Sequence, residues 1–150
     1  MATYNGENYA KSIDPSGDNI VEAAQIEGRV RVMQDVFSFG ATALQSADVV
    51  LLGKQLPTGA RIVAVALGQD ADGTSTSGSL SVGDEGDTTR YLAATQATSA
   101  VVTVGPDTND GQNYSITGTT DNIIRLTVTG AGTPTLSQNI LKLTVTYAMD

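Results

Sequence analysis

Two segments, NIIRLTVT at residues 122–129 and NILKLTVT at 139–146, agree at nearly every position and alternate apolar with polar side chains. In the first, Ile124, Leu126 and Val128 share one face, opposite Arg125, Thr127 and Thr129. In the second, Leu141, Leu143, Val145 and Tyr147 share a face, opposite Lys142, Thr144 and Thr146. Successive side chains of a strand point to opposite sides, so a period of two describes a sheet with one buried and one wet face. Leu126, Val128, Leu143 and Val145 are therefore expected in a core. Two copies do not make a repeat protein; two strands in similar environments have settled on similar residues.

Further strands are expected at residues 29–39, 46–54, 60–68, 77–83, 89–93, 99–105 and 113–117, each rich in Val, Ile, Leu or Thr and separated by Gly, Asp, Asn or Pro. No ten-residue stretch holds a 3.6-residue apolar period, and only VEAAQIEG (21–28) and ATALQSA (41–47) leave room for a helical turn, which excludes α/β architectures. In ARIVAVALG (60–68), Ile62, Ala64 and Ala66 alternate with Val63, Val65 and Leu67, so both faces are apolar. Such a strand is either central in a sandwich or covered by a partner subunit. LPTGAR before it is a turn signal, with Pro57 presetting φ and Gly59 free to take a positive φ.

About nine short, regularly spaced strands fit an all-β, antiparallel β-sandwich that is jelly-roll-like. At 150 residues the chain suits one domain, which by size scaling buries roughly 70% of its unfolded surface. The sandwich is expected over residues 27–150, preceded by an extended N-terminal arm over 1–26. The arm is polar, and Gly6, Pro15 and Gly17 break any period, as in a frayed terminus. The spaced Tyr4, Tyr9, Ile13 and Ile20 offer anchors for docking on a neighbour instead. Arg29 and Arg31 share a strand face and are either a further partner contact or a solvated pair.

The chain has no histidine and no cysteine. That removes the usual proton-transfer group near neutral pH, the commonest transition-metal ligand, the thiol nucleophile and any disulfide. The 16 acidic and 8 basic residues give a net charge of −8, with the basic residues thinly spread, so no nucleic-acid partner is expected. No apolar run approaches the ~20 residues that span a bilayer, and residues 1–18 lack the apolar stretch of a signal peptide. A cytosolic origin and no membrane partner are expected.

The stretch DADGTSTSGSLSVGDEGDTTRYLA (70–93) clusters acids among glycines and hydroxyls. An EF-hand loop beginning at Asp70 would need Gly at its sixth position and Glu at its twelfth, where this chain has Ser75 and Ser81. A different calcium site on Asp70, Asp72, Asp84, Glu85 and Asp87 stays open, as does a glycosidase pair, although the chain has no tryptophan to form a sugar platform. Acids in Gly/Thr-rich connections ordinarily form turns through local backbone bonds. The phosphate-loop and nucleophile-elbow patterns are absent, and GAGTPT (130–135) bears no phosphate-loop lysine. No catalytic residue, cofactor or metal ligand is assigned.

LLGKQLPTGARIVAVAL followed by SGSLSVGDEGDTTRYLAAT resembles small virion proteins of tailed bacteriophages, with the likeness running from about Ser46 to Ala94 and weaker support over 122–147. The matching residues encode turns and core positions and no chemistry. Similar proteins include capsid decoration (cement) proteins, and also head or tail components. The resemblance implies a structural virion protein, not an enzyme, that binds the major capsid protein on the capsid surface as a homotrimer after assembly in the host cytoplasm. A head–tail or tail component, a carbohydrate- or calcium-binding β-module, and more distantly a metal-dependent hydrolase are the alternatives.

Overall fold

The computed structural model describes residues 2–5, 30–38, 44–69, 78–96, 102–106, 110–112, 114–129 and 140–149. They form β1 (Thr3–Asn5), β2 (Val30–Ser38), β3 (Val49–Leu52), β4 (Arg61–Gln69), β5 (Ser79–Gly83), β6 (Leu92–Gln96), β7 (Val102–Gly105), β8 (Ile124–Thr129) and β9 (Ile140–Ala148). Among the described residues there is no helix. The strands make a five-stranded sheet, β1-β3-β8-β5-β6, and a four-stranded sheet, β2-β9-β4-β7. Every pairing is antiparallel except β1 with β3, which is parallel. The architecture is the expected all-β sandwich.

The two look-alike segments are central strands of opposite sheets: β8 lies between β3 and β5, and β9 between β2 and β4. Ile124, Leu126 and Val128 of β8 and Leu141, Leu143, Val145 and Tyr147 of β9 are all buried in one core cluster. The intervening residues are half-buried or exposed, as the alternation requires.

β4 departs from simple alternation. It lies between β9 and β7, and its register slips between Ile62 and Ala64. An inserted residue of this kind reverses the phase of the strand beyond it. Ile62, Val65 and Leu67 therefore point inward, Ala64 and Ala66 lie outward and half-buried, and Val63 is 48% exposed at the slip. The turn ahead of it behaves as LPTG implies: Gly59 has φ +84° and Ala60 N donates to the Pro57 carbonyl at 3.0 Å.

Three differences from the elements expected of the sequence stand out. Residues 114–117 form no strand, only an isolated bridge between Arg61 and Ser115, although Ile116 is buried and exchanges backbone bonds with Gly59 and Ala60. β6 begins after Tyr91, later than the 89–93 segment implies, because Asp87–Tyr91 is drawn into a turn. Within the arm, Thr3–Asn5 pairs with the chain's own β3. That pairing is locked by Ala2 N donating to Asp48 Oδ1 (2.9 Å) and Val49 N to the Ala2 carbonyl (3.2 Å). A polar tie also joins the sheets: the buried Asp35 of β2 accepts from Gly53 N beyond β3 at 2.6 Å.

Leu143→Ala should cost about 2–5 kcal/mol, the range for truncating a buried leucine. Thr144→Ala, on the half-buried outer face, should cost under about 1 kcal/mol. Chemical denaturation of the two variants checks both figures, and equal costs would contradict a core on one face only.

Candidate functional site

The acid-rich connection after β5 is organised by a buried carboxylate. Asp84 is fully buried, and its Oδ1 accepts from Gly86 N at 2.8 Å and Asp87 N at 2.9 Å, which closes a tight turn. Its Oδ2 receives Arg90 Nε at 2.6 Å and the Tyr91 hydroxyl at 3.4 Å. Gly83 sits against the backbone of Asp87 and Thr88 so closely that no Cβ would fit. Asp87 caps the following residues by accepting from Thr89 N and Thr89 Oγ1, both at 2.9 Å.

From Arg90 the network crosses to another segment. Its guanidinium lies 4.1 Å from the centroid of the Tyr114 ring, and Tyr91 meets the same ring edge-on at 6.3 Å. The Tyr114 hydroxyl donates to Asp121 Oδ2 at 2.9 Å. Asp121 also accepts from Thr117 N and Thr117 Oγ1, both at 2.7 Å, and from Gly118 N at 2.8 Å. Asp84, Arg90, Tyr114 and Asp121 thus fasten the β5–β6 turn to the 114–121 connection. Glu85 and Arg125 add a surface ion pair at 2.7 Å.

The electrostatics fit a structural joint. Burial disfavours the Arg90 charge, but the bond and charge of Asp84 outweigh it and hold the guanidinium above its ordinary range. Burial, then the Asp84 charge, push the Tyr91 hydroxyl well above the usual tyrosine value. Burial and the bond to Asp121 raise Tyr114 as well. For Asp121, burial alone would raise the carboxyl, but the donors from Thr117, Gly118 and Tyr114 prevail and hold it well below the usual aspartate range. The backbone and hydroxyl of Thr89 lower Asp87. Asp84 and Asp121 are each committed to several protein donors, which leaves little acceptor capacity for a metal or substrate. Among the described residues, no group of three or more acids is placed to hold a metal ion.

The partner-interface residues fall in different places. Tyr4 is half-buried in β1, pairs with Val50 and leans on Phe37 with ring centroids 6.2 Å apart. Arg31 is exposed near the start of β2, opposite Tyr147, six residues from Phe37, so the structure does not bring Tyr4 and Arg31 together. Tyr9, Ile13, Ile20 and Arg29 lie outside the described residues, as do Asp70, Asp72 and the GAGTPT connection.

Sequence reasoning missed the surface feature of the four-stranded sheet. Its outer face carries Val30 (50% exposed), Val32 (42%), Val36 (39%) and Val63 (48%), which are the exposed large hydrophobic residues among those described. The outer face of the five-stranded sheet differs: Val49 and Ser81 are buried, Thr127 is half-buried, and Ser81 Oγ and Thr127 Oγ1 have no hydrogen-bond partner among the described residues. The alternation of VRVMQDV was a usable signal for the valines. It was obscured because Arg31 and Asp35 share the parity of the buried Met33 while the exposed positions are mostly valine, which inverts the usual alternation.

No family model matches this chain, and no curated protein does. Solved structures do. A chain of the cyanophage Pam1 capsid asymmetric unit superposes with a TM-score of 0.61 at 25% identity, covering 91% of this chain and 96% of that one. A chain of the Ralstonia phage GP4 capsid shares the fold, with a TM-score of 0.68 at 17% identity over 99% of both chains. A third, from the acid-stable capsid of Helicobacter pylori bacteriophage KHP30, reaches 0.56 at 21% identity, covering 83% and 90%. The likeness to phage virion structural proteins is thus borne out. These neighbours support a structural protein of a phage capsid.

Asp84→Asn leaves Arg90 beside a neutral partner and should cost about 3 kcal/mol, the scale for breaking a buried ion pair. A lower denaturation midpoint at unchanged m-value would register it. Asp121 supplies a pH signature. Because its folded pKa lies below the unfolded value of about 3.9, its contribution is full above that value and is lost as pH falls through the folded pKa. The stability gap between the wild type and Asp121→Asn should therefore be constant from about pH 5 to 7 and shrink below about pH 4. Melts across that range check it; a gap that widens with acid would refute the assignment.

Proposed function

We propose that this chain is a decoration (cement) protein, which binds the major capsid protein on the outer surface of a phage capsid and reinforces the shell as a homotrimer. The observation that carries this reading is the near-complete coverage of the capsid neighbours, up to 99% of both chains. A capsid chain that is one sandwich of this size and little else suits an accessory clamp. The strand order supports a jelly-roll reading of the sandwich: β2-β9-β4-β7 faces β3-β8-β5-β6, and β1 is added at one edge. Catalytic chemistry plays no part, because the acidic cluster is spent on holding turns.

Residues 1–26 act as the arm in this reading. Thr3–Asn5 anchors on the chain's own β3, and Tyr9, Ile13 and Ile20 supply apolar contacts to a neighbouring subunit or to the shell. Ordering such a segment costs on the order of 1–2 kcal/mol per backbone residue, so buried anchors must offset that loss.

The test is sedimentation with empty shells of the parent phage. Saturable binding is expected, with a dissociation constant near or below about 1 μM, or ~8 kcal/mol, at a stoichiometry in multiples of three. Absence of binding at tenfold higher concentration would overturn the reading, and binding to tails alone would replace it with a tail role. Deleting residues 1–20 should leave a folded sandwich, destabilised by about 1–2 kcal/mol because Asp48 loses its Ala2 donor, and should weaken shell binding at least tenfold.

A further inference from the structure

We infer that the outer face of the five-stranded sheet is a seat for residues 6–29 of the same chain, which add a third layer to the sandwich. Thr3, Val49, Thr127 and Ser81 form one row of this face, and Asn5, Leu51, Arg125 and Gly83 the next. Every described strand belongs to one sheet or the other, so none lies over it. Yet Ser81 is 0% exposed and Val49 9%. Ser81 Oγ, Thr127 Oγ1 and Arg125 Nε are buried and have no hydrogen-bond partner among the described residues. Buried polar atoms are ordinarily paired, so the face calls for a polar cover that the described strands do not supply. Its edges differ: Thr3 and Asn5 on β1 and Ala93 and Ala94 on β6 are exposed. The covered strip spans β3, β8 and β5, or ~10 Å at the usual strand spacing. That is the footprint of one length of chain, and is too narrow for the ~800 Å² that each partner of a stable interface buries.

Length and starting point select the occupant. Residue 6 follows β1, the edge strand of this sheet, and residue 29 precedes β2, the edge strand of the other. The two edges lie side by side, as the contact of Tyr4 with Phe37 shows. Phe37 is seven residues from Val30, so strand rise and sheet separation put Asn5 about 25 Å from Val30, a gap that roughly eight extended residues close. The segment has 24 residues, and the surplus suffices to cross the strip and return. The connections 70–78, 97–101 and 130–139 are shorter, and each must join one sheet to the other. They also leave from the end of the sheet where Ser79 and Thr129 are only half-buried, one row short of Ser81. Composition agrees: Glu7, Asp14, Asp18, Glu22 and Glu27 offer acceptors to Arg125 and to the two hydroxyls. The seat calls mainly for polar partners, so it leaves Tyr9, Ile13 and Ile20 available to the capsid-binding reading, on which the inference does not depend.

The test is thiol labelling, which the absence of native cysteine keeps unambiguous. Ser81→Cys is made in the full chain and in a chain whose residues 6–29 are replaced by a Gly/Ser linker of equal length, which retains β1 and β2. N-ethylmaleimide should modify the Ser81→Cys thiol at least tenfold faster in the linker chain. Val63→Cys at an exposed position should react fast in both chains, and Val128→Cys in the core slowly in both, which separates loss of the cover from unfolding. Equally slow labelling of Ser81→Cys in the two chains means that another segment covers the face, and equally fast labelling means that nothing does; either overturns the inference. A second measurement needs no linker chain. Benzophenone maleimide attached through Leu51→Cys, half-buried at the margin of the strip, should photocross-link to a peptide from residues 6–29 at the mass of a single chain. Cross-links only to other segments, or only between chains, overturn the inference. All of these outcomes leave shell sedimentation, and with it the capsid-binding reading, to be decided separately.

Discussion

Mutual burial of one face from each sheet is the constraint on which this structure depends, and β8 and β9 lie at its centre. Each is flanked by strands on both sides, so its backbone groups are paired and its inner side chains can be wholly apolar. Burial of a Leu, Ile or Val side chain contributes roughly 1.5–3 kcal/mol, so the seven inner residues of these strands, among the 22 buried hydrophobic residues described, supply a large share of the core. The near identity of NIIRLTVT and NILKLTVT is a result of this equivalence. Both are middle strands facing each other's sheet, and both need alternate large aliphatics inside with threonine and a long cation outside.

The sandwich and its central strands were legible in the sequence because a period of two over eight residues survives any detail of pairing. The phase of β4 was not, because the slip between Ile62 and Ala64 is a local event that leaves no mark when every residue is apolar. The segment 113–117 looked like a strand from its Tyr and Ile, but Ile116 is buried by a loop that folds back on Gly59 and Ala60. For β1, three residues give no period to read, and its place depends on a buried partner, Asp48, that is distant in sequence.

The acidic stretch shows the same division. That Asp84 and Asp87 form turns followed from their glycine and threonine neighbours. That Asp84 is fully buried and linked through Arg90 and Tyr114 to Asp121 depended on contacts with residues some thirty positions later, which no local pattern encodes. These groups brace the loops at one end of the sandwich. A carboxylate already held by backbone amides and a guanidinium is poorly suited to proton transfer, since the donors stabilise its charged form and occupy its lone pairs.

On the capsid-binding reading, function lies at the surface, and the valines exposed on the outer face of the four-stranded sheet have a physical property that suits contact. A β-branched side chain on a strand is already restricted at χ1, so it loses little rotamer freedom on contact. The backbone beneath it is fixed by two flanking strands, so no segment has to order before the contact forms. An arm works the other way: it reaches farther, but each residue that docks gives up backbone freedom first. A shell-binding protein gains from holding both, since a rigid face sets orientation at low entropic cost and a tethered arm then binds at the high effective concentration its attachment confers.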